Sequence, residues 1–493
     1  MLGNGGYDVS HYHLDLRYGT SASTDPIVGS VSIDARAEVA LDRFNLDFSG
    51  SGVTGVEVDG RPASWRRQGE ELVVTPSRPL LADRSFTVRV SGFSATPVPP
   101  APGEVFPAPL VSTPDGSLVA AQPDGAHAIF PCNDHPSDPA SFSFRLDVPT
   151  GTTAVANGVF TGRRVEAGRT TWSYRQRQPM ATELVQLAVG DFTVQTGRSH
   201  TGTPQRDVTP RRLGEAFAVA TAASPDHLAW LEDRIGRYPF DVYGSLIVDA
   251  GLDFALETQT LNLYDEAIFQ RSPALWNSLM VHELAHSWYG NLVTPRTWSD
   301  VWLNEGHASW YEFTYADEMS FLPDHDYIGV RDLETLMQLV YAYSDRWRQR
   351  YGPVAEPVGG STLDLFNVNV YYGGAMVLFA LRQELGQETF DRLQRVWPER
   401  FRGGPASTDD FIALASEVTG RDLTGFLTPW LYEETTPPMP GYPEWTVLPV
   451  EHPVTVPPAD AAGAAARQGP EAGTEAGTGD DPLAAGFRAR FRG

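Results

Sequence analysis

The sequence has no lysine. Its 37 basic side chains are all arginine and face 62 acidic ones, so the 493-residue chain carries a formal net charge of −25. A surface of that sign repels polyanions, which excludes nucleic acid and anionic membrane as expected partners. The single cysteine, Cys132, excludes an intrachain disulfide and reads as a packed thiol. Apolar runs of bilayer length are missing, and the start MLGNGGYDVSHYHLDLRY lacks the basic segment and apolar core of a signal peptide. As written, the chain is expected in the cytoplasm. It opens almost directly on strand-like sequence, so secretion through a leader lost upstream is the alternative.

Apolar material is plentiful: 41% of residues are hydrophobic, with 24 Phe and 12 Trp. The length suggests about three domains. Residues 1–198 read as a β-rich domain. Tyr12, Leu14, Leu16 and Tyr18 alternate with polar neighbours, as do Phe44, Leu46 and Phe48, then Phe86, Val88 and Val90, then Phe144, Leu146 and Val148. A period of two predicts antiparallel sheet with one buried face. The polar stretch GRSHTGTPQRDVTPRR, from residue 197, marks the boundary. Residues 199–445 turn helical after a few strands. LGEAFAVATAASPDHLAWLEDRIG reads as an apolar-periodic helix pair, YGSLIVD as a short buried strand, and GGAMVLFALRQELG as a helix starting just after Tyr371. Residues 446–493, rich in Ala, Gly, Pro, Glu and Thr, bury too little apolar surface to offset ordering and are expected to be disordered. The fold class is multidomain α+β.

The run HELAHSWYGNLVTPRTWSDVWLNEG, from residue 282 to 306, carries the chemistry. Residues four apart on a helix lie nearly over one another, so His282 and His286 present two imidazoles to one metal ion, with Glu283 beside it. Ser272 can cap that helix, Pro273 suits its first turn, Leu279, Leu284 and Trp288 form an apolar stripe, and Gly290 with Asn291 ends it. Glu305 follows His286 after eighteen intervening residues, enough to bring a third ligand back from the start of a second helix. Two His and one Glu leave a coordination position open for water, the arrangement of a catalytic Zn2+ site, one ion per chain. Glu312, seven residues beyond Glu305 on almost the same helical face, is a candidate to orient a ligand histidine or a solvent-facing carboxylate.

These residues resemble the M1 (gluzincin) aminopeptidases, whose pattern is HExxH, eighteen residues, then Glu within an NEG tripeptide. The family's Gly-x-Met-Glu-Asn segment is matched in altered form by FALETQT at 254–260, which retains Glu257. VYYGGA at 370–375 resembles the family's V-Y-x-K-G-A and places its catalytic tyrosine at Tyr371. QPDGAHAIFPCNDHP at 122–136 resembles the FPCxDEP region and puts a pocket-lining residue at Gln122. Phe254, Leu256 and Thr258 depart from the family's Gly, Met and Asn, and Gly373 from its Lys, so side-chain preference does not carry over.

The resemblance implies a saddle-shaped N-terminal β domain and a thermolysin-like, mainly helical catalytic domain. It implies the two-domain form, without the C-terminal helical domain that many relatives have. It also implies roles: Glu283 as general base, Tyr371 as oxyanion donor, Glu257 as the anchor of a peptide's free α-amine, and Gln122 in the pocket. The expected activity is zinc-dependent removal of N-terminal residues from peptides. A zinc endopeptidase, an epoxide hydrolase on the same fold and a catalytically silent peptide-binding protein are the alternatives. No feature of the sequence indicates an oligomeric state.

Overall fold

The computed structural model describes residues 3–101, 108–325, 330–359, 362–449, 481, 483–484 and 487. Its N-terminal part is built on an eight-stranded sheet. The order across it is Val159–Glu166, Arg169–Met180, Ala140–Pro149, Tyr7–Arg17, Ile27–Ala37, Ser85–Ala95, Gly55–Val58 and Arg61–Pro62. The alternating residues point inward as their period predicts: Tyr12, Leu14, Leu16, Val88, Val90, Phe144, Leu146 and Val148 are all buried. A bulge between Val9 and His11 shifts the phase within Tyr7–Arg17, so Val9 and Tyr12 both face the core. One pairing departs from the antiparallel expectation. Tyr7–Arg17 and Ala140–Pro149, in the middle of the sheet, run parallel. Parallel neighbours need a long connection, and the intervening strands supply it.

A second sheet carries the chain toward the site. Its order is Phe192–Arg198, Pro204–Pro210, Ser245–Val248, Asn262–Asp265 and Ala255–Leu256. The polar stretch from residue 197 holds the turn and the second strand of its first hairpin, with Phe192 opposite Pro210 and Arg198 opposite Pro204. One face of this sheet, through Val208, Leu246, Val248 and Leu263, shares a core with the N-terminal strands. Ile247 and Tyr264, on the other face, pack with Trp276, Leu279 and Met280 of the helix that carries HELAH.

Among the described residues the α-helices that follow are α1 (Ala218–Arg234), α2 (Pro273–Ala285), α3 (Trp302–Glu318), α4 (Leu333–Tyr351), α5 (Gly374–Leu385), α6 (Gln387–Arg400), α7 (Thr408–Thr419) and α8 (Thr424–Tyr432). The segment expected to form a helix pair is the single helix α1, which runs through Pro225. Among the described residues no helix is long and apolar enough to cross a membrane. The expectation of a disordered tail concerns positions mostly outside the described residues. Of those described beyond 449, Leu483, Ala484 and Phe487 are buried in the helical core.

Helices α3 and α5 cross at two glycines. A Cβ added to Gly306 would fall 2.9 Å from the Cα of Gly374, and one added to Gly374 would fall 2.8 Å from the Cα of Gly306. Neither helix can take a side chain here without moving apart, and Gly306 directly follows Glu305. Gly374→Ala is therefore expected to cost about 1–3 kcal/mol, the usual range for overpacking. Urea unfolding measures this, and an unchanged midpoint with unchanged slope would contradict the close crossing.

Candidate active site

Helix α2 is placed by its cap and by burial. The Ser272 hydroxyl accepts the backbone N–H of Leu275 at 3.3 Å, and Pro273 occupies the first turn. The helix is buried on nearly every side, not only along the apolar stripe the sequence suggests. It ends at Ala285, five residues before Gly290, and His286 forms its C-cap with φ −55 and ψ −23, still helical. His282 and His286 therefore keep the one-turn spacing, with ring centroids 4.9 Å apart. Nδ1 of His286 donates to the Tyr289 carbonyl at 3.1 Å, which leaves Nε2 facing the site.

Helix α3 brings Glu305 to the same point. A capping box of Thr297 and Asp300 opens the turn before it, and Asp300 also accepts the backbone N–H and hydroxyl of Thr408 at 2.8 Å. Glu305 Oε2 lies 3.4 Å from Nε2 of both His282 and His286. It is buried and accepts no hydrogen bond of ordinary geometry. Ligand atoms from the three residues lie within 4.8 Å of one another. A buried carboxylate oxygen without a hydrogen bond, flanked by two imidazole nitrogens, fits a transition-metal cation. Glu312 resolves as the orienting carboxylate: its Oε2 accepts from His282 Nδ1 at 3.0 Å, and the residue is buried rather than solvent-facing.

Charge within the cluster supports the same fit. Burial alone would lower His286, but Glu257, Glu305 and Glu283 outweigh it and raise the imidazole to about 10. Glu305 would be raised by burial, yet His286 and His282 hold it down at about 2. Without a cation, protons on the imidazoles supply the positive charge these carboxylates require, and a bound metal ion would displace them. Glu283 moves the opposite way: burial lifts it to about 8, against the pull of His282 and His286.

Glu257 stands beside Glu283. One oxygen of each lies within 4.8 Å of the other and of a His286 nitrogen. Gln122 donates its side-chain N–H to Glu257 Oε1 at 2.6 Å, and Asn291 donates to the Glu257 carbonyl oxygen at 2.7 Å. Tyr371 stacks beside His282, its ring parallel at 9° with centroids 5.9 Å apart. Burial, with Glu305, Glu257 and Glu283 nearby, raises its phenol well above the usual value. Tyr372 turns away, with its ring edge-on to Phe313 and Trp347.

The seven candidate catalytic, substrate-binding and metal-ligating residues are thus brought together, with Glu312 behind His282. Sequence reasoning missed Asn291, read there only as a helix terminator, and Phe487, whose ring touches Tyr371. Nothing in the periodicity marks Asn291. An isolated Phe in a low-complexity tail was the available signal for the other.

The chain is similar to known peptidases. The family model described as the peptidase family M1 domain matches residues 220–430, and the peptidase M1 N-terminal domain model matches residues 118–184. Aminopeptidase M1-D of Oryza sativa subsp. japonica is 28% identical over 331 residues, 64% of this chain but only 36% of the rice protein. Leucine aminopeptidase 2 of Candida glabrata is 26% identical over 451 residues, 87% of this chain and 67% of the yeast protein. Among solved structures, an M1 zinc metallopeptidase from Deinococcus radiodurans superposes with a TM-score of 0.76 at 28% identity, covering 92% of this chain and 98% of the other. A mutant of that protein, solved with a Tyr-Ser-Ala substrate, matches at 29% identity with a TM-score of 0.76, over 89% of this chain and 97% of the other.

Removing the carboxylate behind a ligand histidine typically costs 10–100-fold in metal affinity. Glu312→Ala is expected to weaken metal binding by about that factor. Competition against a chromophoric chelator gives the value, and an affinity equal to the parent's would show that His282 needs no such partner.

Proposed function

The chain belongs to peptidase family M1, and on that premise we propose that it is a zinc-dependent aminopeptidase, releasing the N-terminal residue of peptides. The observation that carries this reading is the position of Glu257. Its carboxylate is buried, held by Gln122, and adjacent to Glu283 and His286. A peptide's α-amine, with a pKa of about 8, is largely cationic at neutral pH. A fixed carboxylate next to the hydrolytic centre therefore admits one residue before the scissile bond.

Two imidazoles and one carboxylate suit zinc better than oxygen-preferring magnesium or calcium, and His282, His286 and Glu305 would hold it. When bound, zinc supplies a Lewis acid for the carbonyl and lowers the pKa of water. Glu283 takes the proton of the attacking water and passes it to the leaving amine. The Tyr371 hydroxyl, kept protonated by its surroundings, donates to the oxygen that becomes negative in the transition state. Gln122 fixes the Glu257 carboxylate at an angle that leaves its second oxygen for the substrate. The Deinococcus protein solved with a tripeptide supports peptides as the substrate class.

Loss of the Glu257 carboxylate separates this activity from that of a general zinc protease. Glu257→Ala is expected to reduce kcat/KM on free N-terminal peptides by about 2–5 kcal/mol, the range for truncating one member of a buried charged pair. Acetylated peptides, which lack the cation, should be poor substrates of the parent, and the variant should narrow the gap. Equal turnover of free and acetylated peptides by the parent, with no change of ratio in Glu257→Ala, would assign an endopeptidase instead.

For Tyr371→Phe the expectation is a fall in kcat of roughly 10² to 10³ with little change in KM, because the lost donor acts on charge absent from the ground state. Tyr372→Phe should leave kcat close to the parent's. Impairment of the second variant alone would show that the neighbouring tyrosine is the donor.

A further inference from the structure

Beyond Val456 the chain has no large apolar side chain until Leu483, and the next after it is Phe487. Both are buried against the catalytic helices, Leu483 fully and Phe487 with 6% of its surface exposed. A spacing of four is the one at which two side chains share a helix face. Asp481 fixes the start of this turn. Its carboxylate accepts the Trp347 indole N–H at 2.6 Å and the backbone N–H groups of Leu483 and Ala484 at 3.1 and 2.9 Å. These bonds satisfy free donors at the start of the turn, as an N-cap does.

The docked turn ends at the candidate catalytic tyrosine. The Phe487 ring meets Tyr371 edge-on at 5.1 Å and 67°, and Tyr372 at 5.7 Å and 89°. Trp347, which binds Asp481, also packs on Tyr372, at 6.4 Å. Anchor and ring therefore belong to one aromatic group that continues through Tyr371 to His282.

The backbone of Tyr371 is fixed independently. It lies in the π-type turn Asn369–Gly373, where Asn367 Oδ1 accepts the backbone N–H groups of Asn369 and Val370 at 2.9 and 3.3 Å. Those bonds set the main chain but not the side-chain torsion. The ring's direction depends on what covers it, and among the described residues His282 and Phe487 pack on it.

We propose that Phe487 is a positioning residue for Tyr371: its ring, buried against the catalytic helices, holds the phenol toward the His282–Glu305 cluster. This inference rests on the reading of Tyr371 as oxyanion donor. A ring freed on one side samples rotamers that aim its hydroxyl elsewhere, and small misplacements of a reacting group reduce rate steeply. The loss falls on kcat, because the hydroxyl acts on the transition state and not on substrate binding.

The test uses the full-length, zinc-loaded protein and an N-terminally free tripeptide, or the acetylated one if that is what the parent cleaves. Phe487→Ala is expected to lower kcat about tenfold with KM within about twofold and zinc content unchanged, while Phe487→Leu recovers most of the rate. In a Tyr371→Phe background, Phe487→Ala should cause no further loss, a non-additivity that a merely structural residue would not produce. If Phe487→Ala fails to fold, Asp481→Ala, which releases the anchor without opening the core, carries the same comparison. Amide exchange near Phe487, slow in the parent and fast in Asp481→Ala, reads docking without reference to activity. Failure of the aminopeptidase reading is thereby distinguishable from failure of this one. An unchanged kcat, a kcat that rises because the segment obstructs substrate, or an equal fall in both backgrounds would each overturn the proposal.

Discussion

Glu305 Oε2 lies in the interior with an imidazole nitrogen 3.4 Å away on either side and no hydrogen bond to satisfy it. A carboxylate buried in this way is costly unless a cation sits beside it. Glu257 and Glu283 add to the negative charge at the same point. Much of the surrounding architecture serves to hold this concentration of charge in place. The glycine contact between α3 and α5 brings Glu305 and the Tyr371 turn close together, Glu312 sets the tilt of His282, and the Tyr289 carbonyl sets that of His286. Each hydrogen bond made by an outer imidazole nitrogen leaves the inner one as a lone pair for metal, so ring orientation and metal competence are one property.

The N-terminal strands take part in the chemistry through backbone and amide contacts. Asn157 donates to the carbonyl oxygens of Leu184 and Gln259, at 3.0 and 2.6 Å, and accepts the Gln186 N–H at 2.6 Å. Those bonds join the connection between two N-terminal strands to the segment that carries Glu257. Gln122, from the same part of the chain, completes the link through the Glu257 carboxylate itself. Displacement of the β-rich part would therefore move Glu257 relative to His282, His286 and Glu305, which α2 and α3 position. The β-rich part thus sets the distance between Glu257 and that histidine–glutamate group.

The legible parts were those governed by local rules. HExxH with a distant Glu encodes metal geometry in helix spacing, and the alternating strands encode which side is buried. Less legible were features decided by contact across the fold. Gly290 and Asn291 mark a chain reversal, but the helix stops earlier, where Ser287 and Trp288 already bond back to Leu284 and Ala285. Pro225 would suggest a break, yet α1 continues through it with Ser224, His227 and Leu228 buried on either side. Parallel pairing of Tyr7–Arg17 with Ala140–Pro149 leaves no trace in either strand's pattern. Phe487 was hidden by average composition, since a few apolar side chains at helical spacing vanish in a stretch dominated by Ala and Gly.

The departures from the family pattern show which parts of the site depend on side-chain identity and which on backbone. Around Glu257 the altered residues leave the main chain paired: Ala255 and Leu256 stand opposite Tyr264 and Leu263 in the sheet, and the Thr258 hydroxyl donates to the Leu261 carbonyl at 2.5 Å. The carboxylate keeps its place because the strand does, while Phe254 and Leu256 are buried in the core shared with the N-terminal strands. At Gly373 the reverse holds. A Cβ there would fall 2.3 Å from Asn369 Oδ1, and the Asn369 amide is tied to the Gly352 carbonyl at 2.8 Å. The family's lysine cannot enter without displacing that asparagine, so the turn that presents Tyr371 is held in this chain by an internal amide, where relatives place a longer side chain at 373. Glycine at this position is thus a consequence of how the turn is braced, and the tyrosine it presents can be retained without the lysine.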